Sequence, residues 1–343
     1  MSGVEVFLDE APGETRGALF RNGRPERLII HRDDEWDGQR LGARSVGRVA
    51  RIEPALKGAF VDLGQGMPFG FLSGTGAFVD EGARIEVEVT AEPRDGKGPA
   101  LKLLGPGAGE PRLLAAAPDV RTTLAVWAPG AVAVEGLEAI HAVGEAEDEA
   151  LGGGVVLEDI GLDLGIERTR AMTVVDLDWA PATRLQGAQA RARANERGLV
   201  EAARLIRLKS WGGLAAIDLI GTGFDGDRVA AVARAAFQDE AGLVVGPVNR
   251  FGVLMLSRPW RRRPIDEILL DADARRSPRT RAQDVVRGLR LALLSNRSAP
   301  TITVRCPPGE AALAAPWIVG LGPRARLVAD TAVAPGHFKL EEG

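Results

Sequence analysis

The sequence predicts a mixed α/β chain built in parts: a small β-barrel in the N-terminal third, an α/β layer in the middle and a small α/β unit at the end. Three observations carry this. Residues 41–104 hold five short strand-like runs separated by glycine-rich turns, the pattern of a small barrel. From Met172 to Ser257 strand and helix patterns alternate, which favours a layered α/β architecture. The chain has 343 residues, 45% apolar and 26% charged, enough for two or three domains with real cores.

Residues 4–31 read as short strands, Val4–Leu8, Gly17–Phe20 and Arg27–His31, with Asn22-Gly23 as a hairpin turn between the last two. Arg32–Gln39 is polar and reads as a linker. The barrel strands are expected at Ser45–Ile52, Gly58–Leu63, Gly70–Ser73, Arg84–Thr90 and Lys97–Leu104. Gly105–Pro111 reads as a Gly/Pro linker. Residues 112–168 are rich in Ala, Gly and Glu, and only Leu124–Val126 and Val155–Leu157 stand out. Then come a strand at Met172–Leu177, a helix at Leu185–Leu208, a strand at Leu214–Ile220 and a helix at Asp227–Glu240. Strands follow at Leu243–Val248 and Val253–Ser257. Arg261–Arg281 is a charged connector, Ala282–Leu294 a helix, and Thr301–Arg305 and Ala325–Ala329 strands of the terminal unit. No internal repeat is evident.

Composition narrows the function classes. No stretch approaches the roughly 18 apolar residues of a membrane helix. The start, Met1-Ser2-Gly3-Val4-Glu5, lacks the basic and apolar regions of a signal peptide, so the expected location is cytoplasmic, with no membrane partner. A single cysteine, Cys306, excludes a disulfide framework and a multi-cysteine zinc site, and reads as an inert buried thiol. Three histidines leave little room for histidine chemistry, so carboxylates and a metal are the expected agents. The net charge is −4, but it is unevenly spread: 10 acidic and 1 basic residues over Glu135–Arg168, 11 basic and 5 acidic over Arg250–Arg290, and 7 basic and 2 acidic over Arg184–Lys209. Such asymmetry fits either a basic face for an anionic polymer or an arginine-rich solvated surface.

Asp176 and Asp178 close the apolar strand Met172–Asp178, and their i, i+2 spacing places both on one face. Asp218 ends a second strand 42 residues after Asp176, far enough for a strand–helix–strand crossover that brings the two ends together. Three carboxylates there suit a hard cation, Mg2+ first and Mn2+ as a substitute, which keeps waters for a substrate phosphate. The alternative is that these aspartates are caps or turn residues. Arg204, Arg207 and Lys209 are expected on a basic helical face that contacts phosphate. Arg250 and Arg258 flank a strand and either hold phosphate or pair with acids. Trp211 reads as packing.

Ala171–Asp178, Ala182-Thr183-Arg184, Asn195, Ala203–Leu214, Ile217–Ile220 and Asn249–Arg258 resemble, in order and spacing, the catalytic segment of the ribonuclease E/G family. Gly47–Pro54, Gly58–Gly64, Gly70-Phe71-Leu72 and Lys97–Leu101 resemble that family's inserted OB-fold. The resemblance implies a ribonuclease H-like and deoxyribonuclease I-like α/β core, with an inserted RNA-binding OB-fold barrel and a small C-terminal α/β unit. The implied parts are 1–34 (first strands of the ribonuclease H-like core), 35–105 (barrel), 106–165 (rest of that core and a vestigial sensor region), 166–260 (catalytic α/β domain), 261–282 (basic linker) and 283–343 (terminal unit). It implies a metal-dependent endoribonuclease that hydrolyses single-stranded RNA to 5′-phosphate and 3′-hydroxyl ends, with a catalytically inactive RNA-binding relative as the alternative. Asp176 and Asp218 match the family's metal-binding catalytic aspartates, and Asp178 a supporting position that is usually asparagine. Phe60 and Phe71 match base-stacking aromatics, with barrel core as their alternative, and Lys97 a nearby basic position.

The sequence also departs from the family. Pro259–Pro264 carries no cysteine where a zinc link between protomers usually stands, so no zinc is expected and any homo-oligomer forms without it. Gly221 stands where a further aspartate often follows the catalytic strand. Gly105–Gly165 is much shorter than the family's equivalent, which houses a 5′-monophosphate pocket, and Arg121-Thr122 is only a faint trace of it.

Overall fold

Residues 3–74, 79–180, 187–237 and 240–343 are described by the computed structural model. Ala182-Thr183-Arg184, with the expected first helical residue Leu185, lies outside them. The chain folds as two compact units, Met1–Glu147 with Pro264–Gly343, and Asp148–Arg263.

The first unit opens with β1 (Val4–Ala11), β2 (Glu14–Arg21) and β3 (Arg24–Arg32). Asn22 and Gly23 both take positive φ, 54° and 75°, as the expected two-residue hairpin turn requires. The barrel follows: β4 (Arg44–Glu53), β5 (Gly58–Asp62), β6 (Gly70–Ser73), β7 (Arg84–Ala91) and β8 (Ala100–Pro106). Their order is β5-β6-β8-β7-β4, and β4 pairs back onto β5, closing a five-stranded barrel of OB-like form. Strict alternation on β7 sends Ile85, Val87 and Val89 inward to meet Val49, Val61 and Leu72. The last strand starts at Ala100 rather than Lys97, because Asp95 and Gly96 at positive φ make a turn in which Lys97 N donates to Arg94 O. A further strand, β9 (Arg112–Ala115), adds to β4 just past the linker.

The stretch 112–168 holds more order than its composition suggests: α1 (Val120–Trp127), β10 (Ala133–Val134), α2 (Leu137–Leu151), β11 (Gly154–Leu157) and β12 (Leu162–Arg168). Asp119 caps α1 by accepting from Thr122 N at 2.7 Å. Val120 and Leu124 seal the β1–β3 sheet, whose inward residues are Val6, Leu8, Leu19 and Ile29, and β10 pairs parallel with β1.

The second unit continues with β13 (Thr173–Trp179), α3 (Ala188–Leu208), β14 (Gly213–Asp218), α4 (Gly226–Ala236), β15 (Val244–Val248) and β16 (Val253–Arg258). The sheet order is β11-β12-β13-β14-β16-β15, and β13 and β14 run parallel across the α3 crossover. Leu164, Val175, Leu177, Ile217 and Leu254 are buried on one face, and Leu199, Ala202, Ala203 and Val229 are buried on α3 and α4. Gly198 permits the close approach of α3 to β13, since a Cβ there would sit 2.7 Å from Leu177 Cδ1. The opposite face is polar toward one end and open.

The chain returns to the first unit through α5 (Ile265–Leu269), inside what reads as a connector, and α6 (Pro278–Ser295). A small terminal sheet follows, with β17 (Ile302–Cys306), α7 (Pro308–Val319), β18 (Ala325–Ala329) and β19 (Lys339–Glu342). Its order is β18-β17-β19, with β17 and β18 parallel around α7. Cys306 is fully buried there, and burial pushes its thiol up to about 11, a value for an unreactive group.

Candidate active site and nucleic-acid interface

On β13 the alternation Thr173, Val175, Leu177 is buried while Val174, Asp176 and Asp178 are exposed on the open face. The parallel register sets Asp176 directly beside Asp218. On the other side, the antiparallel register sets Asp178 opposite Asp163 of β12 and Asp176 opposite Gly165. The open face thus carries two cross-strand carboxylate pairs, Asp176–Asp218 and Asp163–Asp178. Asp163 has no place in the sequence reading, because only the β12–β13 register brings it there. Like charges directly opposite each other destabilise a sheet, a cost that a bound cation removes. Gly165 leaves the flank of Asp176 clear, with nothing within 4 Å of where a Cβ would stand. Among the described residues, no three His, Cys, Asp or Glu side chains converge as a ready-made metal cage. A magnesium ion does not need one, since one or two carboxylates with waters and substrate phosphate suffice. The donor set therefore fits a hard, oxygen-ligated cation.

The chain just beyond Asp218 is held from α3. Asn195, 4% exposed, accepts from Ile220 N at 2.9 Å through Oδ1 and donates to Ile220 O at 3.2 Å through Nδ2. Leu219 N donates to Gly252 O at 3.2 Å, which ties the same segment to the Asn249–Gly252 turn. Gly221 has φ +80°, and a Cβ there would meet the Arg191 side chain at 2.8 Å. These contacts fix where β14 ends and hence where Asp218 stands.

Residues 134–261 match the Ribonuclease E/G family model. This segment, under half of the chain, is similar to that family. No curated protein matches the chain significantly. The matched segment contains all four open-face aspartates. No helix among the described residues is long and apolar enough to cross a membrane.

Several basic residues expected to contact phosphate prove to be interior parts of this segment. Arg204 is 6% exposed and pairs with Glu201 and Glu149. Lys209 is 1% exposed, and its Nζ donates to the carbonyls of Ala150 and Gly152. Arg258 is 9% exposed and is held by Glu240 and the Trp211 carbonyl. A buried cation already paired to acids or carbonyls is closed to RNA, so these three expectations are corrected to structural roles. Arg207 is half-buried, donates to Ala236 O and lies over the Phe237 ring. Arg250 stays exposed at the Asn249–Gly252 turn, its guanidinium 4.7 Å from the Phe251 ring, which is itself 71% exposed. Trp211 is buried, as packing requires.

The barrel lies outside the matched segment and carries aromatic and basic side chains of its own. Phe60 on β5 stands opposite Phe71 on β6, both half-buried, with ring centroids 5.3 Å apart in an edge-to-face pair. Lys97 is exposed in the turn leading to β8, whose Ala100 is the register partner of Phe71. Arg51 of β4, largely exposed, lies over Phe60 at 4.9 Å. The sequence reading missed Arg51 because a register shift between Val49 and Arg51 is what sets it opposite Phe60.

Proposed function

We propose that the chain is a metal-dependent endoribonuclease that cuts single-stranded RNA by hydrolysis, leaving 5′-phosphate and 3′-hydroxyl ends. The observation that carries this reading is the Asp176–Asp218 pair, exposed side by side at the carboxyl ends of two parallel strands in a segment similar to the ribonuclease E/G family. Asp176 and Asp218 would hold a Mg2+ ion, with Asp178 beside them as a further oxygen donor. When bound, that ion supplies water activation and charge stabilisation at a phosphoryl oxygen. The chain's own residues do the rest. Asn195 and the Asn249–Gly252 turn keep Asp218 in register, and Gly165 leaves room for a phosphate beside Asp176. Phe60, Phe71, Arg51 and Lys97 present stacking surface and positive charge to a single strand. Arg250 offers an exposed cation near the end of β14.

A non-catalytic RNA-binding relative is the second reading, favoured by the absence of a three-group metal cage among the described residues. One experiment separates the two. Purified protein is incubated with an end-labelled unstructured RNA, with Mg2+ and with Mg2+ plus chelator, and product ends are mapped. Chelator-sensitive cleavage to 5′-phosphate ends supports the nuclease. Tight binding with intact RNA at all Mg2+ concentrations supports the relative.

A further inference from the structure

Among the described residues, one aromatic ring stands in the open: Phe251, 71% exposed, on the Asn249–Gly252 turn. Every other described phenylalanine and tryptophan is buried or half-buried. Its place in the fold ties this ring to the carboxylate edge. Val253 is the register partner of Asp218, so Phe251 lies within about 7 Å of chain past the end of β14 that carries the aspartate. The turn is closely held. Asn249 N donates to Val253 O at 3.0 Å, and Gly252 N donates to Asn249 O at 3.1 Å. Asn249 Oδ1 accepts from Phe251 N at 2.9 Å and from Val253 N at 3.1 Å. Gly252, at φ +86°, sits close enough to Phe224 that a Cβ would meet its Cε2 at 3.4 Å. The backbone is thus fixed while the Phe251 ring stays in water. Beside it, Arg250 is exposed and meets no carboxylate among the described residues, and its guanidinium lies 4.7 Å from the ring centroid. A flat π surface with an unspent cation next to it is what single-stranded nucleic acid binds: the ring stacks on any base, and the cation meets phosphate or strengthens the stack. The barrel carries the same pairing in Arg51 and Phe60.

We propose that Phe251, with Arg250, is a stacking platform for the base next to the phosphate held at the Asp176–Asp218 pair. The proposal rests on the nuclease reading for the identity of the strand. Its consequence is positional. A base stacked on Phe251 sets which phosphodiester lies over the carboxylates, so the turn registers the strand and takes no part in the chemistry. Because stacking accepts any base, the platform fixes register without reading sequence. The rival occupant of an exposed ring is a second copy of this chain. The adjacent cation and the position at the end of the Asp218 strand favour RNA, and the test includes self-association.

Wild type, Phe251→Leu, Phe251→Trp and Arg250→Gln, all as full-length protein, are titrated with an unstructured RNA by fluorescence anisotropy, with Mg2+ chelated. Melting temperatures confirm that each variant folds, and the turn's hydrogen bonds use only the backbone of Phe251. Phe251→Leu, apolar but not flat, should bind about tenfold more weakly, within the range of one base stack, and Phe251→Trp should bind as wild type does. Arg250→Gln should lower the slope of log affinity against log salt by about 0.7, one phosphate contact on a single strand, while Phe251→Leu leaves that slope unchanged. In Mg2+, end-labelled RNAs with one abasic nucleotide at successive positions should show cleavage ladders with a gap at a fixed distance from the abasic site. That gap should vanish in Phe251→Leu and persist in Phe251→Trp. Wild-type affinity in Phe251→Leu, an equal loss in Phe251→Trp, or a ladder with no gap that depends on Phe251 would overturn the proposal. So would a wild-type dimer that Phe251→Leu converts to monomer with RNA affinity unchanged, which assigns the ring to a second copy. RNA bound but never cut counts against the nuclease reading alone, and the affinity comparison still decides the platform. Absence of RNA binding overturns both.

Discussion

Phe60 sits between two partners, the Phe71 edge and the Arg51 guanidinium, and this arrangement decides what its removal should do. A partly exposed ring on a barrel face is available to a base, whereas a core ring is not. Phe71→Ala and Phe60→Ala should each weaken binding of an unstructured RNA by roughly 1–3 kcal/mol, with melting temperatures close to wild type. A stability loss of about 3–5 kcal/mol, the scale of a core aromatic deletion, would contradict the stacking role. The same scale shows what a sequence reveals about single residues. Phe60, Phe71, Asp176 and Asp218 were legible because strand alternation and motif order fix their faces. Arg204, Lys209 and Arg258 were not. A lysine whose ammonium is spent on two buried carbonyls has the same letter and the same neighbours as one on a surface, and only the tertiary fold distinguishes them.

Among the elements, β2, α2 and α6 are joined by a chain of buried ion pairs that no sequence pattern announces. Glu14 pairs with Arg16 and with Arg32, the latter at 2.9 Å. Arg16 also meets Glu147, and Arg276 meets both Glu147 and Asp284. Glu147 belongs to the acidic stretch Glu135–Arg168, yet it is 4% exposed. Burial pushes the Glu14 and Glu147 carboxyls up, but the facing guanidiniums outweigh it and hold both below the usual carboxylate range. Groups with depressed folded values stabilise the fold above their unfolded pKa, about 4.3 for Glu, and that contribution is lost as pH falls through the folded values. Burial pushes Asp284 the other way, so its ionisation costs stability as pH rises through its range. The denaturant midpoint of the protein should therefore hold steady from neutral pH down to about 5 and drop below about 4. Glu14→Gln leaves Arg16 short of its partner and should cost about 3–5 kcal/mol at neutral pH. A Glu14→Gln midpoint equal to wild type would show that the network carries no stability. Element boundaries follow the same rule of legibility. The strands and helices from β13 onward alternate cleanly, while α2 hid in its stretch because much of its buried side is alanine, at Ala139, Ala142, Ala146 and Ala150. Period-3.6 contrast is faint when the apolar face is that small.

For the whole molecule, the spacing of its parts bears on how RNA is selected. Only about 65 residues separate the barrel's last core strand, β8, from β13, and β9, α1, α2, β11 and β12 use most of them. Arg121, which only faintly resembles part of the family's 5′-phosphate pocket, is engaged by Glu10 and by Glu135 at 2.8 Å. A pocket for a terminal phosphate needs unengaged, fixed donors, so cleavage should be indifferent to the 5′ end. One RNA prepared with 5′-hydroxyl, 5′-monophosphate and 5′-triphosphate ends should be cut at rates within a few-fold of one another. A monophosphate advantage above about tenfold, or ~1.4 kcal/mol in the barrier, would show that a sensor operates.

The most direct test of the central claim, that Asp176 and Asp218 act as one metal-holding pair, is a double-mutant comparison of cleavage rates at saturating Mg2+. Wild type, Asp176→Asn, Asp218→Asn and the double variant are measured on one RNA, with binding affinity recorded for each. Groups that hold a single ion act as a unit, so their losses do not add. Each single variant should fall by about a thousandfold, several kcal/mol of transition-state stabilisation, the double variant should be no slower than either single, and RNA affinity should stay within a few-fold. Near-wild-type cleavage by either single variant, or losses that add in the double, would contradict the account.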